Sequence, residues 1–333
     1  MQGGIILVTG GAGYVGSRLV RKLLQRGHRV RVLDRLLYGD HAIAPLRGNP
    51  NFEFLEGDIC DSSKIRDGVD GASAVIALAA LVGDAACEVD PQTTWSINVD
   101  ATAELLDACR QKSVGRLVFA SSCSVYGANG KELLDEGGHL NPVSLYARSR
   151  IASEKLLKRD HGSVEIVILR LATVCGLSER MRFDLMVNTL TACASMEGRM
   201  RVTGADQWRP HLHVQDAAEA FVCAVEAPSH AAANDIFNVG TEAQNFTVGD
   251  VAAKVAEHIP NTIVEECGAV DDPRSYRVSF QHIRKKLGFV PRRTVDDAID
   301  EVHAVLQGVR DFSAEVYHNV KLLQRRGRDR LSA

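Results

Sequence analysis

A glycine-rich turn near the N-terminus constrains this chain more than any other segment. It reads Val8-Thr9-Gly10-Gly11-Ala12-Gly13-Tyr14-Val15-Gly16, directly after the apolar run Ile5 to Val8 and directly before the helical run Val15 to Gln25. Gly11, Gly13 and Gly16 satisfy G-x-G-x-x-G, and Gly10, Gly13 and Gly16 satisfy the G-x-x-G-x-x-G variant. Glycine at these places permits a tight turn and close approach of the backbone to a ligand, and the helix start presents free N–H groups to a pyrophosphate. Context gives the triplet its weight. Asp34 ends the next apolar run, Val30 to Leu33, where a carboxylate accepts hydrogen bonds from an adenine ribose. Its charge repels a 2′-phosphate, so NAD is expected over NADP, and Arg35 beside it pulls the other way.

The pattern continues through the first half. Phe52 to Leu55, Ala74 to Leu78, Leu117 to Ala120 and Val164 to Leu169 are near-continuous apolar runs, as strands buried on both faces of a parallel sheet are. Helical stretches such as Thr93 to Lys112 and Leu145 to Arg159 lie between them, and this alternation predicts an α/β, Rossmann-type doubly wound sheet. After about residue 172 the regularity loosens. Helices are predicted over 182–196, 216–225, 248–258, 279–287, 294–306 and 311–325, a loop over 204–210 and a strand over 236–239. With 333 residues, two units are expected. Residues 1–172 form an NAD-binding Rossmann domain to which 214–240 return, and 173–213 with 241–333 form a smaller, mostly helical substrate-binding lobe.

Composition removes other classes. A formal charge of −3 with 24% charged residues shows no basic excess of the kind that binds nucleic acid. The cluster Arg325, Arg326, Arg328 and Arg330 reads as a solvated helix end. No apolar stretch approaches the roughly 20 residues of a membrane span, and with a strand predicted from Ile5 no signal peptide is expected. The eight cysteines are scattered singly, without C-x-x-C or a histidine cluster at metal spacing. His211 and His213 are read as structural, since no carboxylate partner is evident. A cytoplasmic protein without metal or disulfides is therefore expected.

The chemistry centres on Ser122, Tyr146 and Arg150. A free phenol, with a pKa of about 10, is too weak a base at neutral pH. A cation four residues further along a helix lies on the same face and favours the phenolate. A serine hydroxyl can bond the same substrate oxygen. This set suits removal of a proton from an alcohol while its hydride leaves for a cofactor. Taken alone, Tyr-x-x-x-Arg is also an ordinary surface pair on an amphipathic helix; the nicotinamide site is what favours chemistry.

Further segments carry a family resemblance: Gly57-Asp58-Ile59, Leu78-Ala79-Ala80, Asn98-Val99, Ser121-Ser122-Cys123-Ser124-Val125-Tyr126-Gly127, Tyr146 to Arg150, and Arg209 to Asp216 with its Arg…His-Val-x-Asp pattern. Together with the glycine turn, they make the chain resemble the extended short-chain dehydrogenase/reductases, specifically the NAD-dependent nucleotide-sugar epimerase/dehydratase family. The resemblance runs from the first strand to about residue 216 and continues more weakly to Leu287-Gly288-Phe289.

It implies that Gly10, Gly13, Tyr14, Val15, Gly16, Asp34 and Arg35 hold NAD, with Asp58 and Ile59 flanking the adenine. Leu78, Ala79 and Ala80 would line the nicotinamide half of the groove, with Asn98 beneath it. Ser122 and Tyr146 take the places of the family's catalytic serine or threonine and tyrosine. Arg150 stands where the family has a lysine that holds the nicotinamide ribose and lowers the tyrosine pKa. Its charge is kept, but its planar fork is larger and bonds differently. For the substrate, a nucleoside diphosphate sugar, the resemblance points to Ser122, Ser124, Thr173, Asn188 and Arg209, with Arg274 or Arg277 assisting from the other lobe. Cys123 and Ser124 stand where members that eliminate water across C5 and C6 carry an acidic pair. C4 epimerisation through a transient 4-keto sugar is therefore expected over 4,6-dehydration. A net sugar-nucleotide ketoreductase or dehydrogenase, and an NAD-binding protein impaired by Arg150, are the alternatives. The helices at 93–112 and 145–159 commonly pair across a two-fold in this family, which implies a homodimer.

Overall fold

A computed structural model describes residues 4–268, 272–306, 308 and 311–331 of the chain. The side chains of Arg326, Arg328 and Arg330, read above as a solvated helix end, lie outside the described residues. The apolar runs become strands β1 (Ile5–Thr9), β2 (Arg29–Asp34), β3 (Phe52–Glu56), β4 (Ala72–Ala77), β5 (Arg116–Ser122), β6 (Glu165–Leu171) and β7 (Asp235–Val239). All are parallel, in the order β7-β6-β5-β4-β1-β2-β3. This is the order of a doubly wound Rossmann sheet, whose direction of winding reverses between β1 and β4.

Strand side chains alternate across the two faces, and the two core layers follow from that alternation. Ile6 and Val8 pack with Leu19, Val20 and Leu23 of helix α1 (Tyr14–Gln25), and with Ala217, Phe221 and Val225 of Val214–Glu226. Leu7 faces the opposite layer, with Ile65 and Val69 of α2 (Ser62–Val69), Leu105 and Cys109 of α3 (Ala101–Gln111), and Leu157 of α4 (Leu145–Asp160). Each large aliphatic side chain so buried contributes about 1.5–3 kcal/mol. Polar ends fix where the helices begin: Asp61 caps α2 by accepting from Ser63 N–H, and Ser144 caps α4 by accepting from Ala147 N–H.

The smaller lobe contains α5 (Met186–Glu197) and helices Val248–His258 and Val295–Leu306, packed through Val187, Leu190, Val251, Val255, Ala298 and Ile299. It also carries short strands that were not expected. Trp208–His213 pairs with Thr173–Cys175 on one side and Asn245–Thr247 on the other, Arg199–Val202 pairs with Ile263–Glu266, and Ser275–Val278 pairs with Ala128–Leu134 of the first half.

Four predicted boundaries move. The stretch 93–112 is helix Pro91–Trp95, a π turn over Ser96–Asp100, then α3. The wide turn coincides with Asn98, whose carbonyl accepts from both Thr102 and Ser153 hydroxyls. The helix expected from 182 starts at Met186, because Arg182 and Asp184 pair with each other before it. The predicted loop over 204–210 ends at Gln207, since Trp208 to Pro210 pair with Asn245 to Thr247. Residues 311–325 give a 3-10 turn at Glu315–Tyr317, and the last helix, Asn319–Leu331, begins only after it.

Candidate functional site

A cavity of about 710 Å³ runs along the carboxyl ends of the strands, where an open α/β sheet binds its ligands. Its floor is the glycine turn after β1, Asp34, Arg35 and Leu37 to Gly39 after β2, Gly57 to Ile59 after β3, Leu78 to Ala86 after β4, and Ala120 to Ser122 with Ser124 at the end of β5. The lobe supplies the opposite wall.

The glycine turn needs its glycines. Gly10 has φ +74°, and a Cβ there would lie 2.7 Å from Ala79 N; a Cβ on Gly16 would lie 2.3 Å from the Gly10 carbonyl. Helix α1 follows Gly13, which offers no side-chain cap, so the N–H groups of its first turn, from Tyr14 on, stay free for an anion. Asp34 is fixed by the N–H groups of Ala12 (3.0 Å) and Leu36 (2.8 Å). Burial raises its pKa, and those two bonds and Arg35 oppose the rise. Each carboxylate oxygen retains a lone pair for a ribose hydroxyl. Arg35 donates to Asp58 at 2.7 Å, so its charge is already engaged. Tyr14 lines the cavity, while its hydroxyl donates to the Gly176 carbonyl at 2.5 Å and ties α1 to the lobe. Val15, Ile59 and Leu78 to Ala80 also line the cavity. Asn98 does not. It is fully buried and clamps the main chain of Leu81, accepting from its N–H at 2.9 Å and donating to its carbonyl at 3.0 Å. These features fit a dinucleotide: free amides for a diphosphate, a buried carboxylate for a ribose, and an apolar floor.

Ser122 and Tyr146, far apart in sequence, meet at the inner end. The Ser122 hydroxyl caps the turn Cys123–Tyr126 by accepting from Ser124 N–H at 3.1 Å, and it stands beside the Tyr146 phenol on the cavity wall. Burial raises the phenol above its ordinary value of 10.0; the Arg150 charge pulls it down, and so does the neighbouring Ser122 hydroxyl. Arg150 lies behind Tyr146 rather than on the cavity surface, 2% exposed. Its guanidinium carbon is 5.4 Å from the centre of the Tyr146 ring and 5.2 Å from that of Phe119, with Nη1 donating to the Ala120 carbonyl at 3.2 Å. Its Nε and Nη2 are buried without a partner among the described residues.

The turn itself is held by a buried ion pair. Arg170 grips Glu154 of α4 at 2.7 and 3.0 Å, and Glu154 accepts from Ser121 Oγ at 2.5 Å. Cys123 points into this core and donates to the Arg170 carbonyl; burial pushes its thiol far above the ordinary value. Next to it, the Ser124 hydroxyl lines the cavity, buried and without a partner among the described residues.

On the lobe side, Thr173, Arg209 and Arg274 line the cavity. Both arginines converge on Asp272: Arg274 chelates it at 2.5 to 3.0 Å, and Arg209 reaches it at 3.5 Å. Arg274 also pairs with Asp84, closing the cavity across to the segment after β4. Arg277 lies over the Trp208 ring at 4.8 Å and does not line the cavity. Nor does Asn188, fully buried, whose amide accepts from Gly176 N–H at 2.9 Å and donates to the Arg182 carbonyl at 2.9 Å. His213 pairs with Glu301 at 3.1 Å, and His211 stacks on Phe246. Among the described residues, no group of three or more His, Cys, Asp or Glu is placed to hold a metal ion, and no helix is long and apolar enough to cross a membrane.

Sequence reasoning passed over several cavity residues: Tyr38, Asp84, Arg180, Arg182, Asp184, Asp272 and Asn319. Arg180 and Arg182 had a faint signal, as alternating charges between apolar neighbours after Gly176. Asn319 had none, because it reaches the site only through tertiary packing.

The family model for the NAD dependent epimerase/dehydratase family matches residues 6–240. A UDP-glucose 4-epimerase of Lactobacillus helveticus is 31% identical over 321 residues, covering 88% of this chain and 94% of that one. A dTDP-glucose 4,6-dehydratase of Streptomyces niveus is 28% identical, covering 89% and 90%. The solved structure of MoeE5 in complex with UDP-glucuronic acid and NAD superposes with a TM-score of 0.78 at 28% identity, covering 92% of this chain and all of that one.

Proposed function

The chain belongs to the NAD-dependent epimerase/dehydratase family, and on that premise we propose that it epimerises a nucleoside diphosphate sugar at C4. The observation that carries this reading is the turn after β5. Ser122 and Tyr146 stand together on the cavity wall, while the next position holds a thiol turned into the core, followed by a partnerless hydroxyl. Elimination of water needs an acid for the leaving hydroxyl and a base for the carbon proton. Cys123 supplies neither, because its proton is held by burial and its sulfur faces away from the cavity. Epimerisation needs one proton site that works in both directions, and Tyr146 is one.

When bound, NAD supplies reversible hydride exchange at the sugar carbon. The chain's own groups do the rest. Tyr146 takes the hydroxyl proton and later returns it. Ser122 bonds the reacting oxygen and the phenol, which keeps the two in register. Arg150, fixed between two rings, keeps a positive charge beside the phenolate. The unpartnered Ser124 hydroxyl and Thr173 face the sugar, and Arg209 with Arg274 holds the diphosphate in place of Asp272. The residues at 93–112 and 145–159 are taken to form the two-fold interface of a homodimer; light scattering on the purified chain tests the dimer, and a monomer mass would overturn it.

The test is a panel of UDP- and dTDP-sugars followed by proton NMR and absorbance at 340 nm. The expected result is conversion to the C4 epimer with no net NADH. A 4-keto-6-deoxy product would make the protein a dehydratase, and stoichiometric NADH would make it a dehydrogenase. Tyr146→Phe is expected to lower kcat/KM roughly 10²- to 10⁴-fold, the range for a positioned acid–base group. Activity equal to the parent's would remove Tyr146 from the chemistry.

A further inference from the structure

Three arginines line the cavity beside the glycine turn, and two of them are neutralised within the protein. Arg35 donates to Asp58, and Arg182 is held by both oxygens of Asp184 at 2.9 and 3.0 Å. Arg180 differs. It is 2% exposed, its guanidinium lies 3.6 Å over the centre of the Tyr38 ring, and its Nη2 donates to Asn319 Oδ1 at 2.7 Å. Its Nε is buried without a partner among the described residues, and Asp184 attracts it only from beyond ion-pair contact. A guanidinium removed from water needs a counter-charge, and an amide with a ring face supplies little of it.

The surroundings say which charge is missing. Two residues before Arg180, the Ser178 hydroxyl donates to the Tyr14 carbonyl at 2.6 Å and meets Ser17 Oγ at 3.0 Å. Arg18 Nε donates to the Leu177 carbonyl at 3.1 Å. The segment bearing Arg180 is therefore laced to the first turn of α1, whose free N–H groups face the same cavity. On its other side stands Asn319, the first residue of the last helix and itself 2% exposed. Its Nδ2 donates to the Val82 carbonyl after β4, and its N–H to Asp184, both at 3.1 Å.

We propose that Arg180 is a ligand for the diphosphate of the dinucleotide, facing the glycine turn, and that Asn319 is its positioning residue. The proposal rests on NAD being the cofactor. Backbone amides then hold the diphosphate from one side and a charged fork from the other, and the buried cation gains its counter-ion only when the cofactor is in place. The fold thereby ties cofactor retention to the C-terminal helix, which carries no part of the glycine motif. A second diphosphate, that of the sugar nucleotide, has the same chemistry. The lacing to α1 favours the cofactor's, and Arg209 and Arg274 lie ready for the other.

The experiment titrates the full-length chain, after removal of carried-over nucleotide, with NAD, ADP-ribose, adenosine and UDP by calorimetry, with unfolding temperatures recorded alongside. Arg180→Met is expected to weaken NAD and ADP-ribose on the order of 10- to 100-fold, the worth of a charge-assisted bond. Adenosine and UDP should be unaffected, and the ligand-free protein should unfold no lower than the parent, because an uncompensated charge has been removed. Asn319→Ala should shift the same two ligands by a smaller factor. Should Arg180→Met not fold, Arg180→Lys serves: it keeps the charge without the fork, and should weaken ADP-ribose while sparing adenosine. Unchanged ADP-ribose affinity with a lowered unfolding temperature would make Arg180 structural. Loss of UDP binding alone would give it to the substrate. Absence of NAD binding by the unaltered protein would overturn the cofactor reading itself, a result separable from either.

Discussion

The two walls of the cavity are built on different principles. The floor beneath the cofactor is mostly backbone: glycines that let α1 approach the turn, free amides, and one carboxylate fixed by two N–H groups. The lobe wall is made of charged side chains from remote segments that, in this state, mostly satisfy one another, Arg209 and Arg274 with Asp272, and Arg274 with Asp84. The difference teaches where specificity can vary. A backbone cradle tolerates little change, whereas paired side chains can be exchanged as long as charge balances.

The comparison breaks most visibly on the floor. Gly16→Val would drive a side chain into the Gly10 carbonyl, so NAD binding should fall below calorimetric detection, with roughly 1–3 kcal/mol of stability lost to overpacking. Normal NAD affinity in this variant would show that the floor is not a rigid backbone cradle.

On the lobe wall, Arg209→Met should raise KM for the sugar nucleotide about 10- to 100-fold while NAD affinity holds, since one charge-assisted contact is lost. A matching loss of NAD affinity would merge the two walls into one site.

The inner end, where the walls meet, titrates. Burial holds the Tyr146 phenol above its ordinary 10.0, so at neutral pH it is almost wholly protonated. The rate should therefore climb between pH 7 and 9, by up to about tenfold per unit, as the phenolate fraction grows. Arg150→Met removes the cation that opposes this rise, and should move the curve to higher pH. Superimposable profiles would show that Arg150 does not act through Tyr146.

The smallest effect is expected away from both walls. His211 is buried with neither ring nitrogen partnered among the described residues, and burial, helped by Arg209, lowers its pKa to about 3. The unfolded chain binds that proton near 6.5 and the fold does not, so stability falls as pH drops below 6.5, by up to about 1.4 kcal/mol per unit. His211→Leu should leave the unfolding temperature at pH 7 nearly unchanged and raise it at pH 5. Equal acid sensitivity in parent and variant would show that this histidine does not set it.

Legibility followed the same division. The seven core strands and the glycine turn could be read because each is a local pattern: a short run rich in apolar residues, buried on both faces except at the edge strand β3, or a turn that only glycine can make. The short strands of the lobe could not. Trp208–His213 holds arginine, proline and two histidines, and it is a strand because Thr173–Cys175 and Asn245–Thr247 flank it. Among site residues, Ser122 and Tyr146 were visible as motif members. Asn98 and Asn188 were visible too, yet the fold places both off the cavity surface, where their amides are spent on Leu81 and on Gly176 and Arg182.

The sequence by itself determined the Rossmann sheet and the dinucleotide turn, because both depend on near neighbours in the chain or on short motifs. Only the tertiary structure decided that Arg150 sits behind the phenol, that Cys123 turns inward, and that Arg180 keeps an unbalanced charge beside α1. Each of those depends on which carbonyl, ring or carboxylate arrives from far along the chain, and charge balance inside a fold is set by neighbours in space.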